Sequence, residues 1–235
     1  MLRPAVDARF YPASDCSLLV SFGKQISLEN HRQVTMLLRF LEAEPVSAVR
    51  NLHPAYCSLL ITFDPLSLTH DEVKDTVRRC LGRLGDIPLP QPRLVEIPVC
   101  YGNEFGPDLD DVAALHKLPP SEVIALHSST TYIVYFLGFV PGFAYLGDLP
   151  EALATPRLSV PRKVVPPGSL GIAGRQTGVY PFPTPGGWRL LGRTPLKMFR
   201  AGPAGGSLLA TGDRVRFTPI SSEQFTILEQ TQESA

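Results

Sequence analysis

The sequence is poor in the features that mark most common functions. No apolar run approaches the ~20 residues a helix needs to cross a bilayer, so a membrane role is not expected. The first residues, MLRPAVDARFYPASD, lack the apolar centre of a secretion signal, and a cytoplasmic location is expected. The four cysteines, Cys16, Cys57, Cys80 and Cys100, include no Cys-x-x-Cys pair. Cys57 and Cys80 sit in apolar patterns and read as small core residues. The five histidines are scattered without ligand spacing, so no metal site is implied. With 22 bases against 22 acids the formal charge is zero, which argues against a nucleic-acid partner. No G-x-x-x-x-G-K-[ST] loop cradles a phosphate, and no G-x-S-x-G elbow presents a serine. No Ser/His or Cys/His constellation is visible, so catalytic residues cannot be named from the sequence.

What is present is an ordinary globular balance, 44% hydrophobic and 19% charged, over 235 residues. That length holds one large domain or two small ones. The first ~95 residues show a coherent order of elements. CSLLVSF (16–22) reads as a strand, and Val34, Leu37, Leu38 and Leu41 form a helical stripe within 28–43, closed by Pro45. Strands over 46–52 and 56–63 follow, with a turn at His53-Pro54-Ala55. Thr69 and Glu72 form a capping box ahead of a helix whose apolar face is Val73, Val77, Cys80, Leu81 and Leu84, ended by Gly85. A strand at 93–99 completes β-α-β-β-α-β, a ferredoxin-like split unit. Prolines 88, 90 and 92 mark a linker, giving an α+β domain over 1–90 and a second domain over 91–235.

The second domain opens with helices expected over 108–117 and 121–128, an acidic pair unsuited to DNA. From Tyr132 onward, short β-like runs alternate with Pro-Gly turns, as in a mainly β barrel. The last residues, LEQTQESA, are polar and expected to fray.

Residues 132–147, YIVYFLGFVPGFAYLG, are the most informative stretch. An apolar run meets Pro141-Gly142, a pair suited to a type II turn. Six aromatics crowd that turn: Tyr132, Tyr135, Phe136, Phe139, Phe143 and Tyr145. They read either as a core hairpin or as the wall of a concave pocket or interface. Trp188, the single tryptophan, follows Pro185-Gly186-Gly187 and reads as a packing anchor or an interface residue.

Charge is segregated. Residues 101–151 hold seven acids and one base, whereas 152–202 hold eight bases and no acid. The two segments can cancel in the fold, or the second can serve an anionic ligand or acidic partner. Arg175, Gln176 and Thr177 lie among Gly168, Gly171, Gly174 and Gly178, a set that can orient a carboxylate or phosphate, or simply a tight barrel turn. On the first alternative, Arg175→Ala and Thr177→Ala harm activity more than folding. Arg157 and Arg162 recur in a Pro-Arg pattern that aims at a ligand or at solvent. Tyr180 reads as a cavity phenol or a barrel residue. His127 reads as a base or as a helix C-terminal cation.

The ordered strings GF-PGF-YL (138–146), TPR, PR, VPPGS, IAG-QTGVYP, PGGW and GRTP resemble the signature of the allophanate hydrolase subunit 1 family. The similarity continues through IPVCYG-EFGPDL (97–109) and GDRVRF (212–217). That family includes the B subunit of 5-oxoprolinase and KipI-like kinase inhibitors. The resemblance implies a cyclophilin-like barrel and one subunit of an ATP-dependent 5-oxoprolinase, which opens 5-oxoproline to glutamate. It implies two partners, a C-like companion barrel and an A-like lactam hydrolase, with ATP and Mg at the level of the complex. The chain alone is then expected to be inactive. A KipI-like inhibitor of a sensor histidine kinase and a carboxyltransferase-type subunit related to urea carboxylase are the alternatives.

Overall fold

A computed structural model describes residues 7–84, 91–202 and 205–233. The chain divides into two compact units, Met1–Gln91 and Pro92–Ala235.

In the first unit β1 (Arg9–Ser14) and β2 (Ser17–Ser21) form a hairpin, followed by α1 (Leu28–Ala43), β3 (Val49–Pro54), β4 (Ser58–Phe63) and α2 (His70–Leu81). The antiparallel sheet runs β1-β2-β4-β3. Ser27 caps α1 by accepting from the Asn30 amide, and Thr69 with Glu72 completes the capping box of α2. Val34, Leu37, Leu38 and Leu41 of α1 and Val73, Val77 and Cys80 of α2 bury against Leu18, Val20, Leu59, Ile61 and Phe63 of the sheet.

The split unit expected here is not what forms. The strand expected at 93–99 joins the second unit's barrel, and β1 takes the sheet edge beside β2. A tight turn between Ser14 and Ser17, whose hydroxyls lie 2.8 Å apart, folds β1 back onto β2. Pro12 is tolerated because β1 is an edge. Two boundaries also shift. β3 takes in His53 and Pro54, expected as a turn, and α2 ends at Gly82, whose amide bonds the Arg78 carbonyl. Gly85, Pro88 and Pro90 lie outside the described residues.

The second unit begins with β5 (Leu94–Tyr101), α3 (Leu109–His116), α4 (Pro120–Ser129), β6 (Thr131–Leu137) and β7 (Ala144–Gly147). A 3-10 turn at Glu151–Leu153 leads to β8 (Arg162–Val165), β9 (Ser169–Ala173), β10 (Gln176–Val179), β11 (Thr184–Gly186) and β12 (Arg189–Arg193). The chain ends with β13 (Phe199–Arg200), β14 (Gly206–Ser207), β15 (Arg214–Pro219) and α5 (Ser222–Glu233). Seven strands close a barrel in the order β10-β7-β6-β15-β5-β12-β9. β8 and β11 pair separately as a two-stranded ribbon. Residues 228–233, expected to fray, belong instead to α5. Phe225 of that helix is buried against Phe105, and the Arg193 guanidinium lies over both rings.

A hydrogen-bonded chain of polar groups is buried in the second unit. His127 is fully buried; its Nδ1 lies 2.9 Å from the Tyr101 hydroxyl and its Nε2 3.0 Å from the Thr177 hydroxyl. Thr177 donates its proton to the Gly171 carbonyl, so Nε2–H donates to Thr177 and Nδ1 accepts from Tyr101. Every polar atom of the neutral ring is thereby satisfied. His127 is therefore no cation at the end of α4: burial lowers its pKa from 6.5 to about 3.

A second polar link ties the ribbon to the barrel. Asp108 is almost fully buried, and its carboxylate accepts from the Arg162 guanidinium at 2.6 Å and from the Leu190 amide at 2.7 Å. Arg162 opens β8 and Leu190 lies in β12, so one carboxylate joins both elements.

These buried groups set two expected outcomes. An unfolded histidine takes up its proton as pH falls through 6.5, whereas folded His127 resists until about 3 and folded His31 until about 4, both because of burial. Stability is then fully present above pH 6.5 and falls toward pH 3, by up to about 1.4 kcal/mol per pH unit for each histidine. Urea denaturation across pH 3–8 is expected to show this slope, and His127→Gln to reduce it. Arg162→Met strands the buried Asp108 carboxylate and is expected to cost about 3 kcal/mol. Adding Asp108→Asn is expected to recover part of that loss; a simply additive loss in a double-mutant cycle would contradict this coupling.

Candidate functional site

The β6–β7 connection explains why so many aromatics surround one turn. The Phe143 amide donates to the Val140 carbonyl at 3.1 Å across Pro141-Gly142, and Gly142 has φ +84°, as a type II turn requires. Just before it, the Val140 amide donates to the Gly138 carbonyl at 2.9 Å, closing a three-residue turn on Phe139 at φ +71°. That conformation is strained for a residue with a side chain. Its result is a phenylalanine left 59% exposed, edge-on to Phe143 with ring centres 5.6 Å apart.

Phe143 is the hub of an edge-to-face array. Its ring centre lies 4.9 Å from that of Tyr145, 5.3 Å from Tyr180 and 5.4 Å from Trp188, each pair steeply inclined. Together with Phe139, Arg157, Pro161 and Pro185–Gly187 these rings line a cleft of about 250 Å³. Gly186 is needed for its shape, because an added Cβ would lie 2.5 Å from the Tyr180 hydroxyl. Pro161 directly precedes β8, and Trp188 lies between β11 and β12. The Asp108–Arg162 pair therefore fixes both walls, and Arg162 also reaches the Trp188 carbonyl at 3.4 Å.

Most of the basic segment is engaged within the fold, and three of its eight bases are paired with acids. Arg162 pairs with Asp108, Arg175 with Glu151 at 3.6 Å and Arg189 with Asp111 at 3.5 Å, acids of the preceding segment in each case. Lys197 and Arg200 bond to Gln232, and Arg193 lies over two phenyl rings. Arg157 lines the cleft, and among the described residues it has no ion-pair or hydrogen-bond partner. Its charge is felt at both cleft phenols. Burial raises the Tyr145 and Tyr180 pKa values; the Trp188 backbone offsets part of the rise at Tyr180, and Arg157 offsets part of it at both.

The structure separates the other sequence candidates. Arg175, Gln176 and Thr177 do not form one anion-binding turn. Gly174 and Arg175 make the β9–β10 hairpin turn, with the Arg175 side chain 65% exposed toward Glu151. Thr177 is fully buried and bonded to His127, while Gln176 before it is half-exposed. Alternation along a strand sends such neighbours to opposite faces. A Thr177→Ala change removes a hydroxyl bonded within the core, so it bears on folding as well as on activity. Arg162 is engaged by Asp108, whereas Arg157, Tyr180, Phe139, Phe143, Tyr145 and Trp188 converge on the cleft. Pro141 and Gly142 shape the turn beside it, in a shallow recess with Phe139. Pro161 and Asp108 were not singled out from the sequence; the Pro-Arg repeat and the aspartate inside EFGPDL were the available signals. Among the described residues no group of His, Cys, Asp or Glu is placed to hold a metal, and no helix is long and apolar enough to cross a membrane.

Known proteins resemble this chain over most of its length. The family model for the carboxyltransferase domain, subdomain C and D, matches residues 8–209. The B subunit of 5-oxoprolinase from Bacillus subtilis is 41% identical over 221 residues, 90% of this chain and 92% of that protein. The crystal structure of the TTHA0988 protein aligns with a TM-score of 0.77 at 36% identity, over 88% of this chain but 40% of that longer one. The urea carboxylase of Kluyveromyces lactis shares the fold, with a TM-score of 0.78 at 18% identity over 96% of this chain and 23% of that one. With most of its length matched by the family model, the chain belongs to the carboxyltransferase subdomain C and D family.

Proposed function

We propose that this chain is the B subunit of an ATP-dependent 5-oxoprolinase. In this reading it acts in the cytoplasm with a C-like companion barrel and an A-like lactam hydrolase, and its own barrel is cyclophilin-like. The observation that carries the reading is convergence. The strings GF-PGF-YL, TPR, VPR, TGVYP and PGGW, spread over residues 138–188, contribute Phe139, Phe143, Tyr145, Arg157, Pro161, Tyr180 and Trp188 to one cleft. These strings carry the resemblance to the B subunits of 5-oxoprolinases, and the fold brings them to one place.

The size of the cleft divides the labour. At about 250 Å³ it falls below the ~300–1,000 Å³ typical of sites for drug-sized ligands. It suits a small metabolite and is small for ATP, so in this reading the cleft itself is not the nucleotide site. This chain then contributes orientation and exclusion of water, and the lactam opens at groups the partner chains supply. The exposed Phe139 also suits a protein partner, which keeps a KipI-like kinase inhibitor as the second reading.

Reconstitution tests the proposal. The chain is mixed with its A-like and C-like partners, and ADP release is followed with and without 5-oxoproline. The three-part mixture is expected to hydrolyse ATP in a 5-oxoproline-dependent way, and this chain alone to show no turnover. If the two partners alone match the three-part rate, the proposed role is wrong.

A further inference from the structure

We infer that Arg157 is a carboxylate anchor, and that the cleft takes a small, flat, five- or six-membered ring bearing one carboxylate. This deepens the proposed function and rests on it: it places the acid substrate on this chain rather than on a partner.

Charge selects the sign of the ligand. An arginine is always protonated, and a guanidinium at an apolar wall gains from an oxygen ligand that matches its planar fork. Arg162, Arg175 and Arg189 already have carboxylates inside the fold. Arg157 lines the cleft without one. Among the described residues no Asp or Glu lines the cleft, so a cationic ligand would meet an uncompensated positive charge, whereas an anion would complete a pair.

The walls set the rest of the ligand. Phe143, Tyr145, Tyr180 and Trp188 line a cleft of about 250 Å³ with aromatic rings, a surface and volume suited to a single flat ring. Tyr145 and Tyr180 line the same cleft as Arg157 and bring phenol groups to it beside the guanidinium. Pro161, Pro185 and the Asp108–Arg162 link hold these walls before a ligand arrives, which limits the ordering cost of binding. The volume is small for a nucleotide and fits a single ring.

Trp188 is the only tryptophan in the chain and lines the cleft, so its fluorescence reports occupancy directly. The full chain is titrated with 5-oxoproline, with its neutral carboxamide, and with proline and benzoate as other ring carboxylates. A saturable change is expected with 5-oxoproline, weakened about 10- to 100-fold for the carboxamide and for Arg157→Met, the loss of one charge-assisted pair. Arg157→Lys is expected to be intermediate. Arg175→Met, on the β9–β10 hairpin turn and not among the cleft's lining residues, is expected to bind as the unmodified chain does. In the reconstituted complex, Arg157→Met is expected to raise KM for 5-oxoproline with kcat less affected. Equal affinity for acid and carboxamide, or an Arg157→Met variant that binds like the parent, overturns the anchor. So does the absence of any fluorescence change with all the ring carboxylates. If proline or benzoate binds through Arg157 while 5-oxoproline does not, and the complex shows no 5-oxoproline-dependent ATP hydrolysis, the anchor stands and the proposed substrate falls.

Discussion

The cleft depends on one buried carboxylate. Asp108 sits at the start of α3 and holds both the Arg162 guanidinium and the Leu190 amide. That link adds a charged tie to the β8–β11 ribbon, which is also packed through the buried Val165 against Phe143, Tyr180 and Trp188; an isolated two-stranded ribbon is marginal in water. Pro161 and Trp188, which flank the two elements the link joins, both line the cleft. The closed barrel supplies the third side through the β6–β7 turn, where Phe143 packs against Trp188 and Tyr180. The barrel has no open edge to fray, so the aromatic array rests on a rigid frame.

The segregated charge of the sequence has a structural meaning. The acidic stretch 101–151 and the basic stretch 152–202 are joined by three pairs, Asp108–Arg162, Asp111–Arg189 and Glu151–Arg175. Two of these pairs are exposed at one or both ends and add little stability, but they remove charge from the surface. What remains at the cleft is Arg157. A formal total of zero thus hides one placed cation beside an aromatic wall.

Local chemistry was legible in the sequence, and long-range pairing was not. The α1 stripe and the Thr69–Glu72 box are short-range patterns, and both helices form where those patterns lie. Pro141-Gly142 dictates its turn for the same reason. The destination of β5 depends on β15, more than a hundred residues away, and nothing local in RLVEIPV distinguishes the two sheets it could join. Within the site, aromatic density at 139–145 pointed to the cleft, but glycine density at 168–178 pointed away from it. Gly171 and Gly178 allow close strand packing, Gly178 beside Phe143 and Trp188, while Gly168 and Gly174 take the positive φ of turns. The strain at Phe139 has no sequence signature, because a phenylalanine at positive φ is dictated by the turn that follows it.

The central claim is that family motifs converge on a cleft whose unpaired arginine receives the substrate's carboxylate. A crystal structure of the complex of all three chains with 5-oxoproline tests it most directly. The account predicts the ligand in this cleft, its carboxylate about 2.7–2.9 Å from the Arg157 guanidinium and its ring against Trp188. Finding 5-oxoproline ordered elsewhere in the complex, with a partner side chain filling the space between Phe139 and Trp188, would contradict it.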